Sequence, residues 1–217
     1  MNTKYKILLS AIATAFIGLL SQNTAMAQDS HARAGIKGGL NVSNLYSDEI
    51  DDENARYGFN VGVYGQFLSS EAFAIQPELL FTTKGAKGEY TGGLFGNQNQ
   101  SIKFNLNYLE LPLLAVFKLG KAAEIHAGGY AAYLLNANIK YEGTFNGTDQ
   151  LNRDAFKHGD AGLVAGFGLN FGAVQLGARY NYGLVEIADS NAARTALGDS
   201  KNSAATVYIA FNLTGTE

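Results

Sequence analysis

The sequence predicts an all-β protein, an eight-stranded antiparallel up-and-down transmembrane β-barrel. Three observations carry this. The chain opens with a secretion leader, eight later segments alternate apolar and polar side chains with period two, and short links alternate with long polar loops. An exported chain with no apolar helical run after its leader can cross a membrane only as a closed barrel, because each backbone amide in lipid needs a partner.

In the leader, Lys4 and Lys6 precede an apolar stretch from Ile7 to Leu20, and Ala25-Met26-Ala27 offers the small residues a signal peptidase reads. Residues 1–27 are therefore expected to be a signal peptide cleaved before Gln28, and residues 28–217 the barrel domain. The apolar stretch falls short of the roughly 20 residues of a membrane-spanning helix. Taking Lys4 and Lys6 from the 16 Lys and Arg leaves 14 bases against 19 acids, a net charge of about −5 on the mature chain. That balance argues against nucleic acid as a partner. With no Cys there is neither a disulfide framework nor a thiolate metal site.

The first strand is expected over Ala34 to Val42, with Ile36, Leu40 and Val42 opposite Lys37, Gly39 and Asn41. The second, Tyr57 to Phe67, sets Tyr57, Phe59, Val61 and Val63 against Asn60, Gly62, Tyr64 and Gln66. The third, Phe73 to Thr83, sets Phe73, Ile75, Leu79 and Phe81 against Gln76, Glu78 and Thr82. The fourth, Ser101 to Phe117, changes parity. Ile102, Phe104, Leu106 and Tyr108 alternate with Lys103, Asn105 and Asn107, and then Leu109, Leu111, Leu113 and Phe117 take over the apolar set. A β-bulge near Tyr108 and Leu109 would reset the register and aim Glu110 inward.

The fifth strand, Ile125 to Ile139, sets Ile125, Ala127, Ala131, Tyr133, Leu135 and Ile139 against His126, Tyr130, Asn136 and Asn138. The sixth, Asp160 to Phe171, sets Leu163, Ala165, Phe167, Leu169 and Phe171 against Asp160, Gly166, Gly168 and Asn170. The seventh, Val174 to Leu184, opposes Leu176, Ala178, Tyr180 and Tyr182 to Gln175, Arg179 and Asn181. The eighth, Ala205 to Leu213, opposes Val207, Ile209, Phe211 and Leu213 to Thr206, Tyr208 and Asn212. Charge falls on the face opposite the oily stripe, and that polar face is rich in Gly, which suits a narrow interior.

The short links are Leu68 to Ala72, Lys118 to Glu124 and Asn170 to Ala173. The long ones are Ser43 to Arg56, Lys84 to Gln100, Lys140 to Gly159 and Val185 to Ala204. An exported chain whose first strand starts in the periplasm places the long loops outside the cell.

Several segments resemble the PorT-like outer-membrane β-barrel family, found mainly in the Bacteroidetes. They are Gly35-Ile36-Lys37-Gly38-Gly39-Leu40-Asn41, Ile75-Gln76-Pro77-Glu78-Leu79-Leu80-Phe81 with Lys84-Gly85, and Tyr108-Leu109-Glu110-Leu111-Pro112-Leu113-Leu114. Gly128-Gly129-Tyr130, Asp160-Ala161-Gly162-Leu163 and Ala178-Arg179-Tyr180-Asn181-Tyr182-Gly183-Leu184 follow in the same order. The resemblance implies an eight-stranded outer-membrane barrel. It does not imply one activity, and no secretion role is carried over from the family's name.

The candidate site is a lumen cluster of Lys37, Glu78, Lys103, Glu110, Asp160 and Arg179. It reads either as a path for a small solute or as a salt-bridged plug. An eight-stranded barrel is only wide enough for side chains to fill, so the plug is favoured. His126 and His158 lack a Ser at a matching strand position, and no catalytic residue is expected. Among the acids Asp48, Glu49, Asp51, Asp52 and Glu53, the set Asp48, Asp51 and Asp52 is the metal candidate. It lacks the Gly and oxygen-ligand spacing of a calcium loop, so a solvated tip is favoured. No cofactor is expected.

These readings converge on a non-enzymatic integral outer-membrane protein, structural or binding through its extracellular loops. A narrow pore or a secretion-associated component is the alternative, with a lipid-modifying enzyme behind it. The partners expected are outer-membrane lipid and lipopolysaccharide, with an extracellular ligand or envelope protein left open.

Overall fold

The computed structural model describes residues 33–46, 55–91, 99–143, 147–150, 156–189 and 199–214. The expected signal peptide lies outside them. Nine strands occur among them: β1 (Ala34–Tyr46), β2 (Arg56–Gly65), β3 (Phe73–Thr91), β4 (Asn99–Leu119), β5 (Ala123–Gly143), β6 (Gly147–Gln150), β7 (Gly159–Phe171), β8 (Val174–Glu186) and β9 (Lys201–Asn212). Sheet order runs β4-β3-β2-β1-β9-β8-β7-β5, and a β4–β5 pairing joins the two ends. The result is a closed eight-stranded antiparallel barrel with no free edge in the cylinder. The short β6 adds to β5 beyond that ring.

Chain order is also spatial order, so tight turns serve one end. Gly120 and Gly172 take φ of 68° and 64° in the β4–β5 and β7–β8 turns, backbone that glycine adopts without strain. At the other end β3, β4 and β5 run to 19, 21 and 21 residues, against 10 to 13 in the other barrel strands. Part of the expected Lys84–Gln100 and Lys140–Gly159 loops is therefore strand. These hairpins keep pairing with one another past the point where the sequence loses its oily stripe.

Burial alternates along each wall. In β9, Asn202, Ala204, Thr206, Tyr208 and Ala210 are buried while Ala205, Val207, Ile209 and Phe211 are exposed. The exposed face is the oily one: Leu40, Phe59, Leu113, Phe167 and Val207 all point outward. On β4 the outward apolar run is Leu109 to Phe117 and on β7 it is Leu163 to Phe171. Each run spans about 27 Å at about 3.4 Å per residue, or about 21 Å of height at a tilt of about 40°, close to the roughly 25 Å band of a membrane barrel.

The expected reset on β4 does not occur. Leu106, Tyr108 and Glu110 are all buried, and β3 and β4 stay in one register from Phe73↔Phe117 to Thr91↔Asn99. The extra residue sits on β5 instead: Tyr108 pairs with Leu134 and Asn107 with Asn136, which leaves Leu135 as the bulge. Glu110 faces inward as expected, but the upper parities are corrected. Above the bulge Ala137 is buried and Asn136 exposed. Lys103, Asn105 and Asn107 share the outward face of β4, bonded there as Asn105 Nδ2 to Asn138 Oδ1 at 2.7 Å and Asn107 Nδ2 to Asn136 Oδ1 at 2.5 Å.

The β2–β3 ladder is regular only from Asn60↔Thr82 to Tyr64↔Glu78. Above it the Thr83 hydroxyl bridges the strands, accepting from Phe59 N at 2.9 Å. Gly85 takes φ 141°, and a Cβ there would sit on the Phe104 carbonyl. Through this opening the Arg56 guanidinium passes to Asn105 Oδ1 at 2.6 Å.

Candidate functional site

The interior is filled in tiers, each built from side chains that the wall's alternation turns inward. Nearest the short turns, Glu124 accepts from Arg33 Nη1 at 2.7 Å, Asn170 Nδ2 at 3.0 Å and Gln175 Nε2 at 3.0 Å. The fully buried His126 ring lies above it. Arg179 Nη2 lies 3.0 Å from His126 Nδ1 and can only donate, so Nδ1 accepts and Nε2–H faces Glu124 Oε2 at 3.2 Å.

Glu78 centres the next tier. Lys37 Nζ reaches its Oε1 at 2.8 Å and Arg179 Nη1 its Oε2 at 2.7 Å, all three buried. Lys37 and Glu78 are not on neighbouring strands. The intervening β2 places Gly62 opposite both Lys37 and Leu80, so no side chain blocks the path. The Tyr208 ring floors this tier, with Lys37 Nζ 4.2 Å and Arg179 Cζ 4.9 Å from its centroid. Tyr208 fits because β8 offers Gly177 beneath its ring, where a Cβ would overlap the phenol.

Lys84 centres the third tier. Its Nζ lies 2.6 Å from Glu110 Oε2, 3.7 Å from Asp160 Oδ2 and 4.2 Å from the Tyr130 ring centroid. Asn181 Nδ2 donates to Glu110 at 2.9 Å and Asn202 Nδ2 to Asp160 at 2.9 Å. Above it the lining turns apolar, with Leu45, Leu106, Leu134, Phe156 and Ile187 all buried.

Counted together, Arg33, Lys37, Lys84 and Arg179 face Glu78, Glu110, Glu124 and Asp160. With His126 neutral the tiers balance, which is the condition for burying so many charges. The space left between the second and third tiers is about 20 Å³, room for about one water.

Five of the six expected lumen residues, Lys37, Glu78, Glu110, Asp160 and Arg179, are thus inside and in contact with oppositely charged groups. Lys103 is not, which corrects the sequence reading. It faces outward beside Asn105, in a groove with Arg56, Lys87 and Lys140. Lys84 and Glu124 were missed although parity pointed to them: Lys84 continues the inward series Gln76, Glu78, Leu80, Thr82, and Glu124 precedes His126 by two. Asp48, Glu49, Asp51, Asp52, Glu53 and His31 lie outside the described residues. Among the described residues, no three His, Cys, Asp or Glu side chains are grouped to hold a metal. His158 lies over the β5 wall, its ring centroid 6.2 Å from that of Tyr133.

An oily outer wall around a charge-balanced, side-chain-filled interior defines the class of small outer-membrane β-barrels. The chain matches the model of the outer membrane protein beta-barrel domain over residues 21–189 and belongs to that family. No curated protein matches it by sequence. The chain is similar to several solved structures and shares its fold with Neisserial surface protein A. Neisserial surface protein A is 11% identical with a TM-score of 0.50, covering 83% of this chain and 97% of that one. Ail, the attachment invasion locus protein of Yersinia pestis, solved with the heparin analogue sucrose octasulfate, is 14% identical with a TM-score of 0.47, covering 84% of this chain and 99% of that one.

Proposed function

We propose that this is a non-enzymatic integral outer-membrane protein, exported with a cleaved signal peptide, whose barrel is a closed structural plug and whose specificity lies on its outer surface. The single observation that carries the reading is the paired Lys37–Glu78–Arg179 tier beneath the Lys84–Glu110 tier, with space for about one water between them. A conducting path needs continuous water-filled width, and an eight-stranded barrel has little to give. The wholly buried His126, held between Arg179 and Glu124, supports a packing role rather than a catalytic one. A PorT-like affinity rests on the segments quoted above, and a secretion role has no residue here to support it.

Planar-bilayer recording on the purified mature protein tests this reading. The expected outcome is no steady conductance from the wild type. Stable unit openings in every preparation would replace the plug with a pore. Unchanged lipid composition after incubation with the protein is expected as well, and a modified acyl chain or headgroup would restore the enzyme reading.

A further inference from the structure

The third tier brings together three groups whose chemistry goes beyond packing. Glu110 on β4 and Asp160 on β7 lie on one rung, each paired with Ala132 of β5, whose methyl group leaves the space between them open. Lys84, on the rung of Leu106, leans into that space from β3. Its Nζ stands 2.6 Å from Glu110 Oε2 and 3.7 Å from Asp160 Oδ2. All three residues are buried, none more than 5% exposed. The Tyr130 and Tyr108 ring centroids lie 4.2 Å and 5.7 Å from the same nitrogen, and the apolar cluster of Leu106, Leu134 and Phe156 lies above. An amine between two carboxyls, walled by aromatic rings and away from water, has the parts an amide bond needs.

The two carboxyls are held differently. Glu110 Oε1 accepts from Asn181 Nδ2 at 2.9 Å, which leaves Oε2 to the lysine. At 2.6 Å that contact is close enough for proton transfer. Asp160 Oδ2 accepts from two donors, Asn202 Nδ2 at 2.9 Å and the Tyr130 hydroxyl at 3.2 Å. Its buried Oδ1 has no hydrogen-bond partner among the described residues. Two donors converging on one oxygen stabilise the oxyanion that forms when a nucleophile adds to the carboxyl carbon. The unpaired oxygen is the one left free to depart. Asp160 is thus placed as the electrophile and Glu110 as the proton carrier.

We propose that Lys84 and Asp160 condense into an intramolecular isopeptide bond, with Glu110 as the proton shuttle, so that β3 and β7 become covalently joined through the lumen. The Lys84 ammonium gives one proton to Glu110, and the freed Nζ lone pair adds to Asp160 Cγ. Glu110 passes that proton to Oδ1, takes a second from the nitrogen and delivers it to the same oxygen. The Cγ–Oδ1 bond breaks and one water leaves. The nitrogen keeps a single hydrogen as an amide, and Glu110 ends as the carboxylate it began as. No oxidant, reductant or activating group is consumed. The space of about 20 Å³ lined by Lys84 and Glu110 can receive the water. Groups held in contact react as if at about 10⁵–10⁸ M, and exclusion of bulk water opposes hydrolysis of the product. One cation and one anion disappear together, so Arg33, Lys37 and Arg179 still balance Glu78, Glu110 and Glu124.

Intact-mass spectrometry on the mature protein, folded from urea into detergent micelles, tests the bond. The chain kept in urea is expected at its sequence mass, and the folded chain lighter by one water. In the tryptic digest Lys84 should stay uncut, and tandem mass spectrometry should find its fragment joined to the one that holds Asp160. Lys84→Arg is expected to fold and keep the full mass. Glu110→Gln should link at least about 100-fold more slowly, since general acid–base catalysis contributes about 10²–10⁴-fold. A folded wild type at its full sequence mass overturns the proposal. A link carried by Glu110 in place of Asp160, or equal linking rates in the wild type and Glu110→Gln, overturns the roles assigned.

Should either variant not fold, the wild type alone decides, because its mass and its digest need no comparison beyond the same chain in urea. Insertion into vesicles, read by protease protection, is scored separately. A wild type that fails to insert sinks the membrane reading and leaves the bond standing, whereas an unlinked chain that inserts normally sinks only the bond.

Discussion

Glu78 is the side chain whose loss the interior tolerates least. It is fully buried and holds Lys37 at 2.8 Å and Arg179 at 2.7 Å, while Gln76 Nε2 donates to the same carboxylate at 2.5 Å. In Glu78→Gln the shape persists but the charge does not, and two buried cations face one amide. Removing one partner of a buried pair costs about 3–5 kcal/mol. That is roughly a hundredfold to several thousandfold in the unfolding equilibrium at about 1.4 kcal/mol per tenfold. Adding Lys37→Met should recover much of this, because Met keeps an apolar stem and leaves Arg33, Lys84 and Arg179 against Glu110, Glu124 and Asp160. The double variant is expected within about 2 kcal/mol of the wild type on that balance. Urea unfolding in lipid vesicles, followed by far-ultraviolet circular dichroism because the chain has no Trp, gives each value. A Glu78→Gln variant within 1 kcal/mol of the wild type, by the ~3 kcal/mol floor above, would refute the argument. So would a double variant no more stable than the single one.

Other substitutions probe the wall. Phe167→Arg, at the middle of the β7 oily run, should cost about 2–4 kcal/mol in the same unfolding assay, whereas Asn136→Arg, above the band, should cost less than about 1 kcal/mol. Gly177→Ala crowds Tyr208 and should cost about 1–3 kcal/mol. A cycle with Tyr208→Ala should show coupling above about 0.5 kcal/mol, and strict additivity would deny the contact. Deleting Leu135 restores plain pairing between β4 and β5 and should leave a heat-modifiable folded band on gels. Deleting Ala131 moves every β5 residue on one side of it to the other face and should abolish that band.

Much of the wall was legible before the fold was known. Side chains alternate across a strand whatever its partners, so Val207, Ile209 and Phe211 had to share a face opposite Thr206 and Tyr208. The same rule aimed Lys37, Glu78, Asp160 and Arg179 to one side, and short links alternating with long polar stretches completed the outline of a barrel. Parity misled where the sequence offered two consistent registers. In Tyr133-Leu134-Leu135-Asn136 either Leu can be the inward one, and nothing local says which strand carries the bulge.

Only closure settled that. Neighbours on both sides of β4 fix Glu110 and Tyr108 inward, push the extra residue onto β5, and so turn Lys103 and Asn105 out. Which cation meets which carboxylate was equally beyond the chain's local pattern, since Lys37 and Glu78 are joined across Gly62, and Glu110 finds Lys84 rather than a neighbour in sequence. Alternation is a property of one strand and is written in one dimension. The stagger between strands, which brings distant charges within bonding distance, exists only once the sheet has met itself.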